Sequence, residues 1–221
     1  MIAVSVMGGS HPALGIGNQD SVSILPNFIC VTDGCSSTPH AEVGAQLFAH
    51  LARKLRMKNE DAFDAEKMKE DLFEEVLLPI FDDPISVIDH LLFTILMMNV
   101  TESHLEYHIQ GDGYVILVDV ENQFRYVEFD CNNVPNYYAY EFFEDVNEDL
   151  EPCQSGSYDK SAYCMAGLAT DGLRFVLSND AYRRAFESSV LQFDQRAIQQ
   201  LFKQISHHEF SDDLTIGLLR W

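Results

Sequence analysis

Basic residues are scarce in this sequence. Its 221 residues include 14 lysines and arginines against 35 aspartates and glutamates, which gives a formal net charge of −21. Nucleic-acid binding requires clustered cations that displace phosphate counterions, and anionic membrane surfaces attract basic segments. We therefore expect neither a nucleic-acid partner nor a membrane partner, and the negative charge favours basic peptides as partners.

Cysteine pairs and long apolar runs are also missing. The five cysteines form no Cys-x-x-Cys pair, and no residues near Cys30 and Cys35 complete a zinc site. Unpaired cysteines in odd number favour reduced thiols and a cytoplasmic location. The longest apolar stretch, 91–100, is too short to span a bilayer. The N-terminus also lacks the basic region of a signal peptide.

The apolar pattern predicts more strands than helices. Amphipathic helices are expected over 39–57, 64–80, 179–190 and 193–205. Strands are expected over 2–7, 21–25, 28–32, 91–100, 104–110, 114–120, 124–129, 137–143 and 162–169, and after Asp213. Most strands are joined by short turns, which indicates antiparallel sheets. The fold class is therefore α+β, with sheets in the core and helices outside.

The chain has the length and the 47% hydrophobic content of one domain, or at most two small ones. No internal repeat or linker divides it, so we expect a single domain over 1–221. The segment 144–159 is acidic and rich in turn-forming residues. This composition predicts a surface loop, and we expect it to act as a flap for the substrate.

Several strands begin or end at an aspartate, and these residues are Asp20, Asp33, Asp171, Asp212 and Asp213. A further one, Asp112, lies in a Gly-Asp-Gly turn, where turn chemistry alone explains it. Strand-end aspartates beside apolar runs should be partly desolvated, and clustered carboxylates repel each other. Divalent Mg²⁺ or Mn²⁺ removes that repulsion because hard cations accept carboxylate and carbonyl oxygens. A glycine after the aspartate lets a backbone carbonyl approach the ion.

Five motifs occur in an order that resembles a known family. They are "NQD" (18–20), "VTDG" (31–34) followed by "AEVGAQLFAHL", "GDG" (111–113), "LATDGLRFVLSNDA" (168–181) and "DDLT" (212–215). Together they resemble the metal-dependent serine/threonine protein phosphatases of type 2C, over nearly the whole chain. The resemblance implies a four-layer α-β-β-α sandwich of two antiparallel sheets, with two metal ions at one end.

The resemblance also implies a role for each motif aspartate. Asp33 would bridge both ions and activate a water molecule, and the carbonyl of Gly34 would bind one ion. Asp171 and Asp212 would hold the other ion, and Asp20 would hold the second ion or its waters. The expected cofactors are therefore two Mg²⁺ or Mn²⁺ ions, and the expected substrate is a phosphorylated protein.

Some positions depart from the family pattern. Cys35 follows the Asp-Gly pair where many members have a histidine suited to protonating the leaving group. Many members also hold the phosphate with an N-terminal arginine, but residues 1–52 contain no lysine or arginine. His11 is the basic residue left before "NQD", so it is the candidate for substrate binding. Gln19 stands where many members have glutamate.

Two nearby aspartates compete for the metal-binding roles. Asp180 also follows an apolar run and is an alternative to Asp171, but its position near a helix start favours interaction with the helix dipole. Asp213 is interpreted as a neighbour of the site and not as a ligand.

The predicted function is metal-dependent hydrolysis of phosphoserine and phosphothreonine on proteins. The alternative is a catalytically weak or inactive phosphatase-like module that acts in partner binding or regulation. Small phosphate esters are a third possible substrate class.

Overall fold

The structure is a computed structural model that describes residues 1–38, 40–58, 63–81, 84–131, 134–143, 150–208 and 212–221. The strands in these ranges are β1 (Ile2–Val6), β2 (Asp20–Leu25), β3 (Phe28–Gly34), β4 (Phe93–Val100), β5 (His104–Gln110), β6 (Gly113–Asp119), β7 (Phe124–Phe129), β8 (Gln154–Asp159), β9 (Tyr163–Ala169) and β10 (Leu214–Arg220). They form two five-stranded sheets, in the orders β1-β10-β9-β6-β7 and β2-β3-β4-β5-β8. Neighbouring strands in both sheets are antiparallel.

Helices cover the outer faces of both sheets. They are α1 (His11–Leu14), α2 (Ala41–Lys58), α3 (Ala65–Asp71), α4 (Leu78–Phe81), α5 (Pro84–Ile88), α6 (Leu173–Ser178), α7 (Asp180–Leu191) and α8 (Gln195–His208). Shorter 3₁₀ segments span Asp89–Leu91, Tyr138–Phe142 and Lys160–Ala162. No helix in the described ranges is long and apolar enough to cross a membrane.

Alternating side chains of the strands build three apolar layers. Val31 and Leu96 meet Val115 and Leu168 in a core between the two sheets. A second core lies between the helices α2 to α5 and the sheet that has β2 and β8 at its edges. A third core lies between the helices α6 to α8 and the other sheet. Every residue of β4 is buried because this central strand is covered on both faces. The predicted α+β class and four-layer sandwich are therefore confirmed.

The predicted helix over 64–80 forms, but its geometry changes along its length. A widened π turn, Leu72–Leu77, joins α3 to α4 and precedes Pro79. Proline has no N–H to donate and its ring collides with the carbonyl one turn earlier in an α-helix. The wider turn before Pro79 lets the helix continue to Phe81.

Between β7 and β9, one prediction was wrong and a second was wrong only at 154–159. The residues 137–143 are not a strand: Tyr138–Phe142 is a 3₁₀ turn that buries Tyr138, whose hydroxyl donates to the Lys69 carbonyl at 2.9 Å. The predicted loop over 144–159 ends instead in the edge strand β8, which pairs with β5. Residues 144–149 lie outside the described ranges.

Candidate metal centre

The β2–β3 hairpin brings two of the predicted aspartates face to face. Its register places Asp20 directly opposite Asp33. Asp20 is buried and Asp33 is partly exposed. Like charges directly opposite each other on neighbouring strands are destabilising, so the hairpin alone does not favour this pair.

Thr170 connects this hairpin to the other sheet. It follows β9, and its hydroxyl donates to Asp20 Oδ2 at 2.9 Å while accepting from the Thr215 amide at 3.0 Å. Asp171 is the next residue, and Asp212 lies just before β10. The ends of both sheets therefore meet at one end of the sandwich, where the strand-end aspartates lie.

The carboxylates at this end raise one another's pKa values. Burial and then repulsion from Asp20, Asp171, Asp212 and Asp112 raise the pKa of Asp33 well above its ordinary range. Burial and then repulsion from Asp212 and Asp112 raise the pKa of Asp171 to about 7, and its side chain also bonds to that of Asp33. The structure thus brings together the four aspartates that the sequence selected.

Asp112 belongs to the same cluster, although turn chemistry seemed to explain it. Its side chain is buried, and burial raises its pKa. The flanking glycines have φ angles of +94° and +140°, which other residues rarely adopt. The turn requirement is therefore real, but it coexists with a carboxylate that faces Asp33 and Asp171. The signal for this residue was its position at the end of two apolar strands.

The donor set fits a hard divalent cation. Asp20 Oδ1 and Asp171 Oδ1 are buried and have no hydrogen-bond partner among the described residues. A Cβ on Gly34 would lie 3.0 Å from the Gln19 carbonyl oxygen and 3.1 Å from the Ala41 carbonyl carbon, so the backbone is closely packed there. In the described part of the chain, no three histidine, cysteine, aspartate or glutamate side chains are grouped so that they could hold a metal ion. Crowded carboxylates with free oxygens are nevertheless the groups that Mg²⁺ and Mn²⁺ bind.

His11 is buried and contacts Asp213. Its side chain is 4% exposed, and its Nδ1 lies 2.9 Å from Asp213 Oδ1. Asp213 also accepts from the amides of Gly8 at 2.7 Å and Gln19 at 2.5 Å. Substrate binding by His11 stays a prediction, because its imidazole already contacts a carboxylate in this structure. The contact agrees with the interpretation of Asp213 as a neighbour.

Asp180 lies apart from the carboxylate cluster. It begins α7, its side chain is 71% exposed, and it pairs with Arg183 at 2.6 Å. Asp180 is not among the main charges that shift the pKa of Asp33 or Asp171. Asp171 is therefore the better candidate of the two.

Cys35 and Tyr137 lie next to Asp33. Burial opposes ionisation of the Cys35 thiol, but hydrogen bonds from Ser37 and Tyr137 outweigh it and lower the thiol pKa. Burial, Cys35 and then Asp33 raise the pKa of Tyr137. The sequence did not single out Tyr137 because it was assigned to a strand.

Comparison with known proteins agrees with this geometry. The family model for protein phosphatase 2C matches residues 7–208. A bacterial serine phosphatase structure is 14% identical, with a TM-score of 0.66 over 100% of this chain and 97% of that chain. The serine/threonine phosphatase Stp1 from Staphylococcus aureus is 12% identical, with a TM-score of 0.66 over 100% and 95% of the two chains.

A third structure is the catalytic domain of the serine/threonine protein phosphatase PstP in complex with two manganese ions. It is 16% identical to this chain, with a TM-score of 0.66 over 98% of this chain and 96% of that one. No curated protein sequence matches the chain. The fold and the carboxylate cluster define a phosphatase-type sandwich. The family match covers most of the sequence, and the chain belongs to the protein phosphatase 2C family.

Proposed function

We propose that this protein hydrolyses phosphoserine and phosphothreonine on proteins, with Mg²⁺ or Mn²⁺ bound at the carboxylate cluster. One observation carries the proposal: Asp33 lies close to both Asp20 and Asp171. Asp20 and Asp33 belong to one sheet, and Asp171 follows a strand of the other sheet. Membership of the phosphatase family and the two manganese ions of the PstP complex support it.

The chain's own residues prepare this site for cations. Asp33 is the proposed bridge between two ions, with Asp20, Asp171, Asp212 and the Gly34 carbonyl as further ligands. Thr170 occupies one oxygen of Asp20 and leaves Oδ1 free to bind a cation. The chemistry supplied by two bound ions is polarisation of the phosphoryl oxygens and activation of a water as nucleophile.

The test is hydrolysis of a small aryl phosphate and a phosphothreonine peptide, with and without Mn²⁺. We expect turnover that requires Mn²⁺ and falls by about 100-fold or more in Asp33→Asn, because loss of partners that only orient ligands already costs about 10–100-fold. Asp180→Asn is the matched control, since Asp180 is exposed and outside the cluster. Equal activity of Asp33→Asn and wild type would refute the proposal.

A second candidate function is a phosphatase-like module that binds a partner and turns over slowly or not at all. Cys35 at the position of the usual histidine and the lack of lysine and arginine in residues 1–52 favour it. Calorimetry separates the two candidates. The module would bind a phosphopeptide without hydrolysing it, and Asp33→Asn would leave that binding unchanged.

Three further features belong to this proposal. The chain would act as a single domain over residues 1–221, in the cytoplasm. Its substrates would be phosphoproteins with basic segments near the phosphorylated residue, because the chain carries a net charge of −21.

A further inference from the structure

The carboxylate cluster repels the substrate that we propose for it. Five aspartates share one end of the sandwich, and a phosphate monoester carries up to two negative charges near neutral pH. Bound cations offset part of this repulsion, but a phosphate also needs hydrogen-bond donors to orient it. Residues 1–52, which include the first half of α2, supply no such donor from a lysine or arginine, because they contain neither.

Arg174 is a cation at the edge of this cluster. It lies in the first turn of α6, three residues after Asp171, and its amide donates to the Asp171 carbonyl at 2.8 Å. The Arg174 side chain is 46% exposed, so solvent and ligands can reach it.

A network of three side chains holds this guanidinium in place. Arg174 Nε donates to Glu128 Oε1 at 2.8 Å, and its Nη2 lies 3.3 Å from Asp130 Oδ1. The buried Tyr114 donates from its hydroxyl to the same Glu128 oxygen. Tyr114 in turn lies opposite Glu128 on β7 and opposite Ala169 on β9, two residues before Asp171.

These contacts fix the direction of the Arg174 side chain without using all of its N–H donors. A guanidinium has five N–H donors in a rigid planar fork. The contacts to the two carboxylates use Nε and Nη2, and Tyr114 also bonds to this side chain, so other N–H groups remain for a ligand. Planar forks of this kind recognise phosphate oxygens with two parallel hydrogen bonds. Arg174 therefore has both the charge and the donor geometry that an arriving phosphate requires.

We propose that Arg174 binds the phosphate group of the substrate at the rim of the carboxylate cluster. The inference rests on the proposed phosphatase function, and it assigns a phosphate-binding role to a cation on α6. The competing explanation is purely structural: Arg174 would only hold α6 against β7 through its ion pair with Glu128.

Glu128→Gln separates these two explanations. A structural ion pair is broken equally by changing either partner, so Arg174→Ala and Glu128→Gln would then have the same effect. A phosphate-binding arginine behaves differently, because Asp130 and Tyr114 still hold the guanidinium in Glu128→Gln while a negative charge beside the arriving phosphate is removed. Arg183→Ala is a matched control, since Arg183 is 44% exposed and forms a similar ion pair on the neighbouring helix α7.

The experiment measures binding of inorganic phosphate to the Mn²⁺-loaded protein by calorimetry, together with KM and kcat for a phosphothreonine peptide. We expect Arg174→Ala to weaken phosphate binding by about tenfold or more, as loss of a hydrogen bond from a charged group does. Arg174→Lys should recover part of the affinity, and Glu128→Gln and Arg183→Ala should bind phosphate at least as tightly as wild type. Mn²⁺ affinity should be unchanged in all four variants.

Three outcomes would overturn the inference: no phosphate binding by wild type, wild-type phosphate affinity in Arg174→Ala, or equal losses in Arg174→Ala and Glu128→Gln. Failure of the proposed function looks different. In that case wild type would bind phosphate through Arg174 but would not hydrolyse the peptide in the presence of Mn²⁺.

Discussion

Asp171 is the residue at which crowding of the carboxylates can be measured directly. Its pKa of about 7 in the folded chain lies well above the value of about 3.9 for an aspartate in an unfolded chain. The folded state therefore binds more protons than the unfolded state between these two pH values. The proton bound by Asp171 stabilises the folded state at low pH. This stabilisation is lost as the pH rises through the pKa of Asp171 in the folded chain.

We predict that the protein in EDTA melts at a lower temperature at about pH 7.5 than at about pH 5, by about 5 °C or more, since each kcal/mol shifts the midpoint of a chain of this size by about 2–4 °C. Excess Mn²⁺ should raise the midpoint most at the higher pH, because the cation takes the place of the protons. Scanning calorimetry at the two pH values measures both effects.

Asp171→Asn serves as the control for this prediction. The variant lacks one of the repelling carboxylates, so its midpoint in EDTA should depend less on pH than that of wild type. Asp180→Asn should retain the full pH dependence because Asp180 is exposed and pairs with Arg183. A midpoint in EDTA that rises between the two pH values would contradict the argument.

For single residues, the sequence was enough where the neighbouring residues carry the signal. Asp20, Asp33, Asp171 and Asp212 each end or begin an apolar run, which implies partial desolvation without any knowledge of the fold. Asp112 was explained by its own turn. Residues such as Arg174 act through partners far along the chain, as with Glu128, 46 positions away, and no local pattern reports such a contact.

Helix α2 packs closely against the 3₁₀ segment Asp89–Leu91 at Gly44. Gly44 is buried in this helix, and a Cβ there would lie 1.5 Å from the His90 carbonyl oxygen and 3.0 Å from Phe93 Cε1. Glycine within a helix costs about 0.5–1 kcal/mol relative to alanine, so the residue is retained for close packing. This contact sets the distance between α2 and the 3₁₀ segment Asp89–Leu91.

We predict that Gly44→Ala destabilises the fold by about 3 kcal/mol or more, or prevents folding, because backbone atoms must move to admit the methyl group. Urea unfolding followed by circular dichroism measures the change. Gly17→Ala is the matched control: a Cβ at Gly17 meets nothing within 4 Å, so its effect should stay within about 0.5 kcal/mol. Wild-type stability of Gly44→Ala would show that the helix lies further from His90.

The elements differ in how far the sequence determined them. The strands β2 to β6 carry apolar runs bounded by turns, and their prediction needed only local patterns. The aromatic segment 137–143 was misassigned because its rings pack into the core without pairing along a strand. The Tyr138 hydroxyl donates to the Lys69 carbonyl, and its ring lies 6.2 Å from that of Phe93 on β4. The edge strand β8 was missed because Gln154–Asp159 is polar and owes its extended form to pairing with β5.

The whole molecule carries a net charge of −21. Such a charge attracts cationic substrates over about a Debye length, which is about 10 Å at 0.1 M salt. The same charge slows the approach of acidic peptides. Substrate choice should therefore depend on the charge of the residues that flank the phosphorylated position.

We predict that a phosphothreonine peptide flanked by lysine and arginine has a kcat/KM about tenfold higher than the same peptide flanked by glutamate at low ionic strength. Most of the difference should disappear at about 0.5 M NaCl, where the Debye length is far shorter. Initial-rate kinetics at the two salt concentrations test this. A preference that persists at high salt would indicate short-range contacts as its source.

The pairing of β1 with β10 has a consequence for synthesis of the protein. Ile2 pairs with Leu218, and Thr170 reaches back to Asp20 across 150 positions. Synthesis proceeds at about 5–20 residues per second, so Asp20 emerges well before Thr170, and β1 emerges well before its partner β10. A nascent chain in which β10 has not yet emerged should therefore leave β1 and β9 without their shared neighbour, and it should lack the phosphatase activity that we propose.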